Sequence, residues 1–259
     1  MRNPKIEFDQ LAMYFGDPYE IDCGENSKSI VVTQPKIGKI VKFGENRFYS
    51  TLNIFIANTT MYRLKLWKHG IDWNTISDFE LFCMLYKAID TEASQLIFKD
   101  LDFSKFDFRE YTHPDGTVEL VLWDGETLIN ADIYNHFSQY LQNVFYMFPE
   151  EKITSDPIMK KWFIRKDERQ AEIDEEKRKH GKLKEEFSIQ PVISACINHP
   201  GFKYNLKDLN DIGVCEFYDS VKRLQIYESS TALMKGIYSG FVNGKEINPE
   251  SYNFMRSVN

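Results

Sequence analysis

Asp115, Glu119, Asp124 and Glu126 crowd into one short stretch. Pro114-Asp115 followed by Glu119 is a spacing that could hold a divalent ion for phosphodiester cleavage. That chemistry calls for a lysine two positions after the glutamate, and Val121 stands there. Without the cation the motif fails as a metal-dependent nuclease. The plainer reading makes Asp115 and Asp124 turn formers and Glu119 the solvent-side residue of a strand. His69, His113, His136, His180 and His199 never fall at metal-ligand spacing. No phosphate-binding glycine loop, dinucleotide fingerprint, zinc-protease helix or nucleophile elbow occurs. No catalytic, cofactor-binding or metal-ligating residue is assigned, and the expectation is a chain that is not an enzyme.

A different kind of chemistry is carried by Ile158, Met159, Trp162 and Phe163, an apolar patch that precedes a run of mixed charge. Large aromatics anchor interfaces, so Met159, Trp162 and Phe163 are the candidate partner-binding residues. The competing reading has the same side chains docking the charged segment onto the rest of the molecule. From Arg165 to Glu186 the two signs of charge are balanced and no apolar stripe is present. Glu175 with Lys179 and Asp174 with Arg178 have the i,i+4 spacing that supports a helix. A helix over 157–187 would be about 46 Å long at 1.5 Å per residue, with Gly181 its weak point. No heptad repeat supports a coiled coil.

The elements that must position this arm are mostly helical. Residues 77–89 are apolar on nearly every face, which places that helix in the middle of a core. Ser77 and Glu80 have capping-box spacing, and Ile76 with Leu81 suits a hydrophobic staple. Residues 14–21 and 30–33 predict a small amino-terminal hairpin. Pro35 is expected at the first position of a helix stopped by Gly44. Phe48, Leu52, Phe55 and Ile56 give the next helix its buried stripe, and Thr60 is expected to cap a short one ending at Gly70. Residues 101–129 alternate apolar and polar around a His113-Pro114-Asp115-Gly116 turn, the signature of a hairpin with a third short strand after Asp124-Gly125. Asn130 caps a helix to about residue 148 whose buried side is Ile133, Phe137, Tyr140, Leu141, Val144 and Phe145. After Pro191 come several short helices, with those around Phe217 and Leu233 expected to be separate.

With 259 residues, 20 Phe and 14 Tyr, the chain can bury a sizeable core. A net charge of −7 disfavours nucleic acid as the main partner. Cys23, Cys83, Cys196 and Cys215 are scattered, without zinc or disulfide spacing, which suits a reducing compartment. No signal-peptide core or membrane-spanning stretch is read; the expectation is a soluble intracellular protein.

Four stretches together carry a family resemblance: FGDPYEI from Phe15, TQPKIGKIVKFGENRFYS from Thr33, GIDWNTISDFELFCML from Gly70, and a carboxyl-terminal set. That set is HPGFKYNLKDLNDIGVCEFYDSVKRLQ from His199 with MKGIYSGFVNGKEIN from Met234. The chain resembles proteins encoded among the tail genes of siphophages of low-GC Gram-positive bacteria, tail assembly chaperones or their close neighbours. The resemblance implies a non-catalytic phage tail assembly factor of the host cytoplasm. Its partners would be the tape measure protein and the tail tube protein, with a possible homo-oligomer and neither nucleic acid nor membrane. The alternative is a structural virion component, a head–tail connector or tail terminator; a metal-dependent nuclease ranks behind both.

The expected fold is mainly α within the α+β class. An amino-terminal helical lobe, 1–150, carries the hairpin at about 101–129. A charged helical arm, 151–187, joins it to a carboxyl-terminal helical lobe, 188–259.

Overall fold

The computed structural model describes residues 4–24, 27–112, 116–181 and 188–258. It is mainly helical with two small antiparallel sheets, as the sequence predicts. In chain order the elements are α1 (Gln10–Phe15), β1 (Tyr19–Ile21), β2 (Ile30–Val32), α2 (Ile37–Phe43), α3 (Glu45–Ile56), α4 (Arg63–Lys68), α5 (Asp78–Leu85) and α6 (Thr91–Ser94). Then follow β3 (Asp107–Thr112), β4 (Val118–Trp123), β5 (Leu128–Ile129), α7 (Ala131–Phe145), α8 (Pro157–Lys179), α9 (Gln190–Ile197), α10 (Asp208–Asp211) and α11 (Val214–Tyr238).

The core is built around α3 and α7, each of which buries a full stripe. In α7 all six predicted inward residues are buried, and Asn130 caps the helix by accepting the Ile133 N–H at 3.0 Å. Phe55 of α3 is fully enclosed, with ring centroids of Phe98 and Phe103 at 5.0 and 5.1 Å and those of Phe82 and Phe137 at 6.1 Å. Edge-to-face and tilted rings at these separations gain attraction beyond the area they bury. The same cluster continues through Leu209, Ile212, Val214 and Phe217.

The capping box forms as read: Ser77 Oγ accepts the Glu80 N–H at 3.1 Å and Glu80 accepts the Ser77 N–H at 2.6 Å. The placement of that helix is corrected, however. Phe79, Leu81 and Phe82 are buried, but Met84 is 53% exposed and Cys83 half-buried, so α5 lies at the rim of the core. An apolar residue on every face shows what a helix tolerates; its outward face is set by what packs on it.

Four further expectations change in detail. The amino-terminal hairpin forms, with Tyr19 opposite Val32 and Ile21 opposite Ile30. Tyr14 and Phe15, expected only to lead into the Gly-Asp-Pro turn before the first strand, end a helix, α1, which Asp9 caps and Gly16 closes at φ 77°. Pro35 lies ahead of α2 rather than inside it. Its carbonyl accepts the Val214 N–H, and Lys36 bridges to Gly213, so this backbone joins the two ends of the chain. Thr60 does not cap α4; its hydroxyl accepts the Lys152 N–H at 2.9 Å. The two helices expected around Phe217 and Leu233 are one, α11.

The hairpin of β3 and β4 is present, with Asp107 opposite Trp123 and Thr112 opposite Val118, and β5 adds the third strand. Its turn at His113, Pro114 and Asp115 lies outside the described residues.

Gly38 marks the closest approach between α2 and α10. A Cβ there would sit 2.3 Å from Asn210 Oδ1 and 2.6 Å from the Asn210 carbonyl oxygen. The carbonyl belongs to backbone and cannot swing aside. Gly38→Ala is therefore expected to destabilise by about 1–3 kcal/mol through overpacking; a midpoint in urea denaturation equal to the parent's would refute the contact.

Candidate partner-binding surface

Two hydrogen-bonded layers bring α8 to its place. Across the ends of α3 and α4 runs the segment 149–156. Trp73, fully buried, donates its indole N–H to the Lys152 carbonyl at 3.0 Å, and Asn74 donates to the Thr154 carbonyl at 2.8 Å. Asn58 donates to the Glu150 carbonyl at 3.1 Å. Asp156 then caps α8 by accepting the Ile158 N–H at 2.8 Å, and Pro157 occupies the first turn, where no N–H is needed.

One face of the helix docks. Lys160, Phe163, Ile164 and Asp167 share it, at the i, i+3, i+4, i+7 spacing of a helical stripe. Ile164 is buried with Ala57, Leu66, Trp73 and Leu81 in a second hydrophobic cluster, against which Phe163 packs half-buried. Arg63 of α4 grips Asp167 with two hydrogen bonds, Nε at 2.5 Å and Nη2 at 2.6 Å, and lies 5.2 Å over the Phe163 ring. Lys160 pairs with Asp72 and lies 6.0 Å from the Trp73 ring. A bidentate Arg–carboxylate pair on half-covered side chains fixes register as well as adding attraction.

The opposite face faces solvent. Ile158 is 77% exposed, Met159 40% and Trp162 51%. The Trp162 ring meets Phe163 edge-on at 5.3 Å and Lys166 lies over it at 5.4 Å. Thus the apolar patch divides: Phe163 works with Ile164 in docking, while Met159 and Trp162 point outward. Beyond Asp167 the helix stands in solvent to Lys179, with Lys179 paired to Glu175 at 2.8 Å. Its 23 residues span about 35 Å. His180 ends it and Gly181 follows at φ 64°, while residues 182–187, read as its continuation, lie outside the described residues.

Arg63, Asp72, Lys160 and Asp167 carry the docking, and none of them is marked by a motif in the sequence. The stripe from Lys160 to Asp167 was the available signal, hidden because both its ends are charged.

Asp72 reports on this docking. Burial raises its pKa, but the Lys160 hydrogen bond, the Asn74 N–H and the Lys160 charge outweigh burial and hold the carboxyl below its usual range. A carboxyl lowered on folding stabilises above its unfolded value of about 4 and loses that contribution as pH falls through the folded value. Asp72→Asn is expected to flatten the decline in stability between about pH 5 and pH 2. Urea midpoints across that range check it; an unchanged acid limb would remove Asp72 from the account.

The other sequence candidates are dispersed. Asp124 accepts the Glu126 and Thr127 N–H groups at 2.9 and 2.7 Å, closing the turn before β5. Glu119 stands in β4 opposite Tyr111. Asp115 and His113 lie outside the described residues. His136 Nδ1 meets the Tyr19 hydroxyl at 2.7 Å, and His199 pairs with Glu228 at 3.3 Å. Among the described residues no three His, Cys, Asp or Glu side chains converge as a metal site. All four cysteines are free, and burial pushes the Cys83 thiol up to about 12 and Cys215 up to about 11, with nearby carboxylates adding to it. Among the described residues no helix is long and apolar enough to cross a membrane.

Residues 178–259 match the family model described as YomV second domain, a phage-associated family. This fits a phage protein. The match begins in the last turn of α8 and takes in α9, α10, α11 and the carboxyl-terminal turns. No curated protein and no solved structure matches the chain.

Proposed function

We propose that the chain is a non-catalytic phage tail assembly factor that works in the host cytoplasm by binding the tape measure protein, tail tube subunits, or both. The observation that carries this reading is the divided surface of α8. One face is locked to the body through Ile164, Arg63–Asp167 and Lys160–Asp72, while Met159 and Trp162 stay uncovered beside a long solvated helix. An apolar pair held rigid at the base of a charged rod suits capture of another helix, since little side-chain or backbone freedom remains to be lost on binding. The phage-associated match over residues 178–259 supports the biological setting.

Co-expression with a phage tape measure protein tests the proposal. The expected result is co-purification and a higher soluble fraction of that partner. Its failure to co-purify, or recovery of the chain within purified virions as a stoichiometric component, would favour a structural virion protein instead.

A further inference from the structure

The sheet formed by β3, β4 and β5 has two edges that are treated differently. The β5 edge is covered by the amino-terminal loop: Ser27 Oγ accepts the Leu128 N–H at 2.8 Å, and Lys28 donates its N–H to the Glu126 carbonyl at 2.9 Å. At the other edge stands β3, which pairs with β4 and with no other strand among the described residues. All 6 of its residues are exposed, Phe108 and Tyr111 among them. An exposed edge strand is a template for an added strand, and natural proteins guard such edges with charge or cover.

The charges on this edge select what can be added. Residues 108, 110 and 112 of β3 share a face with 118, 120 and 122 of β4, and Glu110 is its charged group. The opposite face carries Asp107, Arg109 and Glu119, and the turn before β5 adds Asp124 and Glu126. Both faces are therefore net acidic.

A second copy of the chain fits poorly. Two β3 strands related by a two-fold axis pair antiparallel, and directly opposed residues must lie on the same face. The registers that pair most of the strand set Arg109 against Arg109 or Glu110 against Glu110, and opposed like charges destabilise a sheet.

We propose that the outer edge of β3 is a second docking surface, which takes an extended basic segment of a partner protein as an added strand with Lys or Arg opposite Glu110. Backbone hydrogen bonds would supply affinity and the acidic hairpin would supply selectivity. The surface is independent of α8, so it stands or falls apart from the tail assembly reading.

Fluorescence anisotropy of the full chain with labelled peptides tests it. The probes are an acetylated Thr-Lys-Val-Lys-Val-Thr peptide, its twin with Glu in place of Lys, and a twin N-methylated along one edge. The Lys peptide is expected to bind, to slow amide exchange over residues 107–112, and to weaken with added salt. Glu110→Lys is expected to reduce that binding about tenfold, since a favourable cross-strand pair becomes a repulsive one. N-methylation should abolish binding. Because residue 110 is exposed, the variant is expected to keep the parent's melting temperature, the control that folding is intact. Equal binding of the Glu twin, full binding by Glu110→Lys, protection elsewhere than 107–112, no binding by the Lys peptide, or concentration-dependent self-association through β3 would overturn the proposal.

Discussion

Phe55→Ala is expected to cost about 3–5 kcal/mol of folding stability, a large share of the roughly 5–15 kcal/mol available to a domain. Phe55 sits where α3, α5 and α7 meet, with four aromatic rings at centroid distances of 5.0 to 6.1 Å. Removing its ring leaves a cavity among side chains that also contact one another: Phe82 stacks on Tyr134 at 4.9 Å and Phe98 meets Phe137 edge-on at 5.4 Å. Those partners cannot collapse into the space without giving up their own contacts, so the cost should fall at the high end. Urea denaturation followed by circular dichroism measures it. A loss below about 1 kcal/mol would mean that this aromatic cluster is not the centre of the core.

Trp162→Ala is expected to leave folding stability within about 0.5 kcal/mol, because the side chain is half exposed and docking runs through the other face of α8. Binding of the tape measure protein should weaken by about 2–4 kcal/mol if Trp162 is the interface anchor, which is roughly 30- to 1000-fold in Kd. Calorimetric titration of parent and variant separates the two effects. Ile164→Ala provides the contrast: it removes a buried docking residue and should lower stability first, with binding falling only as α8 loosens. An unchanged Kd for Trp162→Ala would place the partner surface elsewhere.

Much of the helical core was legible in the sequence because its signals are local and redundant. In α7, a cap residue and six apolar positions all point to the same face. The hairpin was legible because its strands alternate on both sides of a turn. The charged arm's start was legible too, from Pro157, whereas its helix was expected to run to residue 187 with Gly181 only a weak point, and α8 ends at Lys179. What escaped depended on distant partners. The short helix α1 exposes Leu11 and Phe15, so its apolar residues carry no inward stripe to read. Gly38 looks like an ordinary helical glycine until Asn210 is placed against it. The polar run Glu228–Ser229–Ser230–Thr231 lies between the two apolar stretches expected to be separate helices, yet α11 runs through it. There the chain end packs back: Ser230 Oγ donates to the Ser251 carbonyl, Arg256 donates to the same carbonyl at 2.5 Å, and Arg223 donates to the Arg256 carbonyl at 2.6 Å. At the candidate surface, residue type pointed to Trp162, but the division of the patch was invisible. It depends on Arg63 and Asp72, about a hundred residues upstream of their partners.

Amide hydrogen exchange of the full chain, with and without saturating tape measure protein, tests the partner-binding role of α8 most directly. The account predicts new protection concentrated over residues 157–166, spreading along the solvated helix toward Lys179, with the aromatic core unchanged. Saturated binding that leaves α8 exchanging as in the free protein would contradict it.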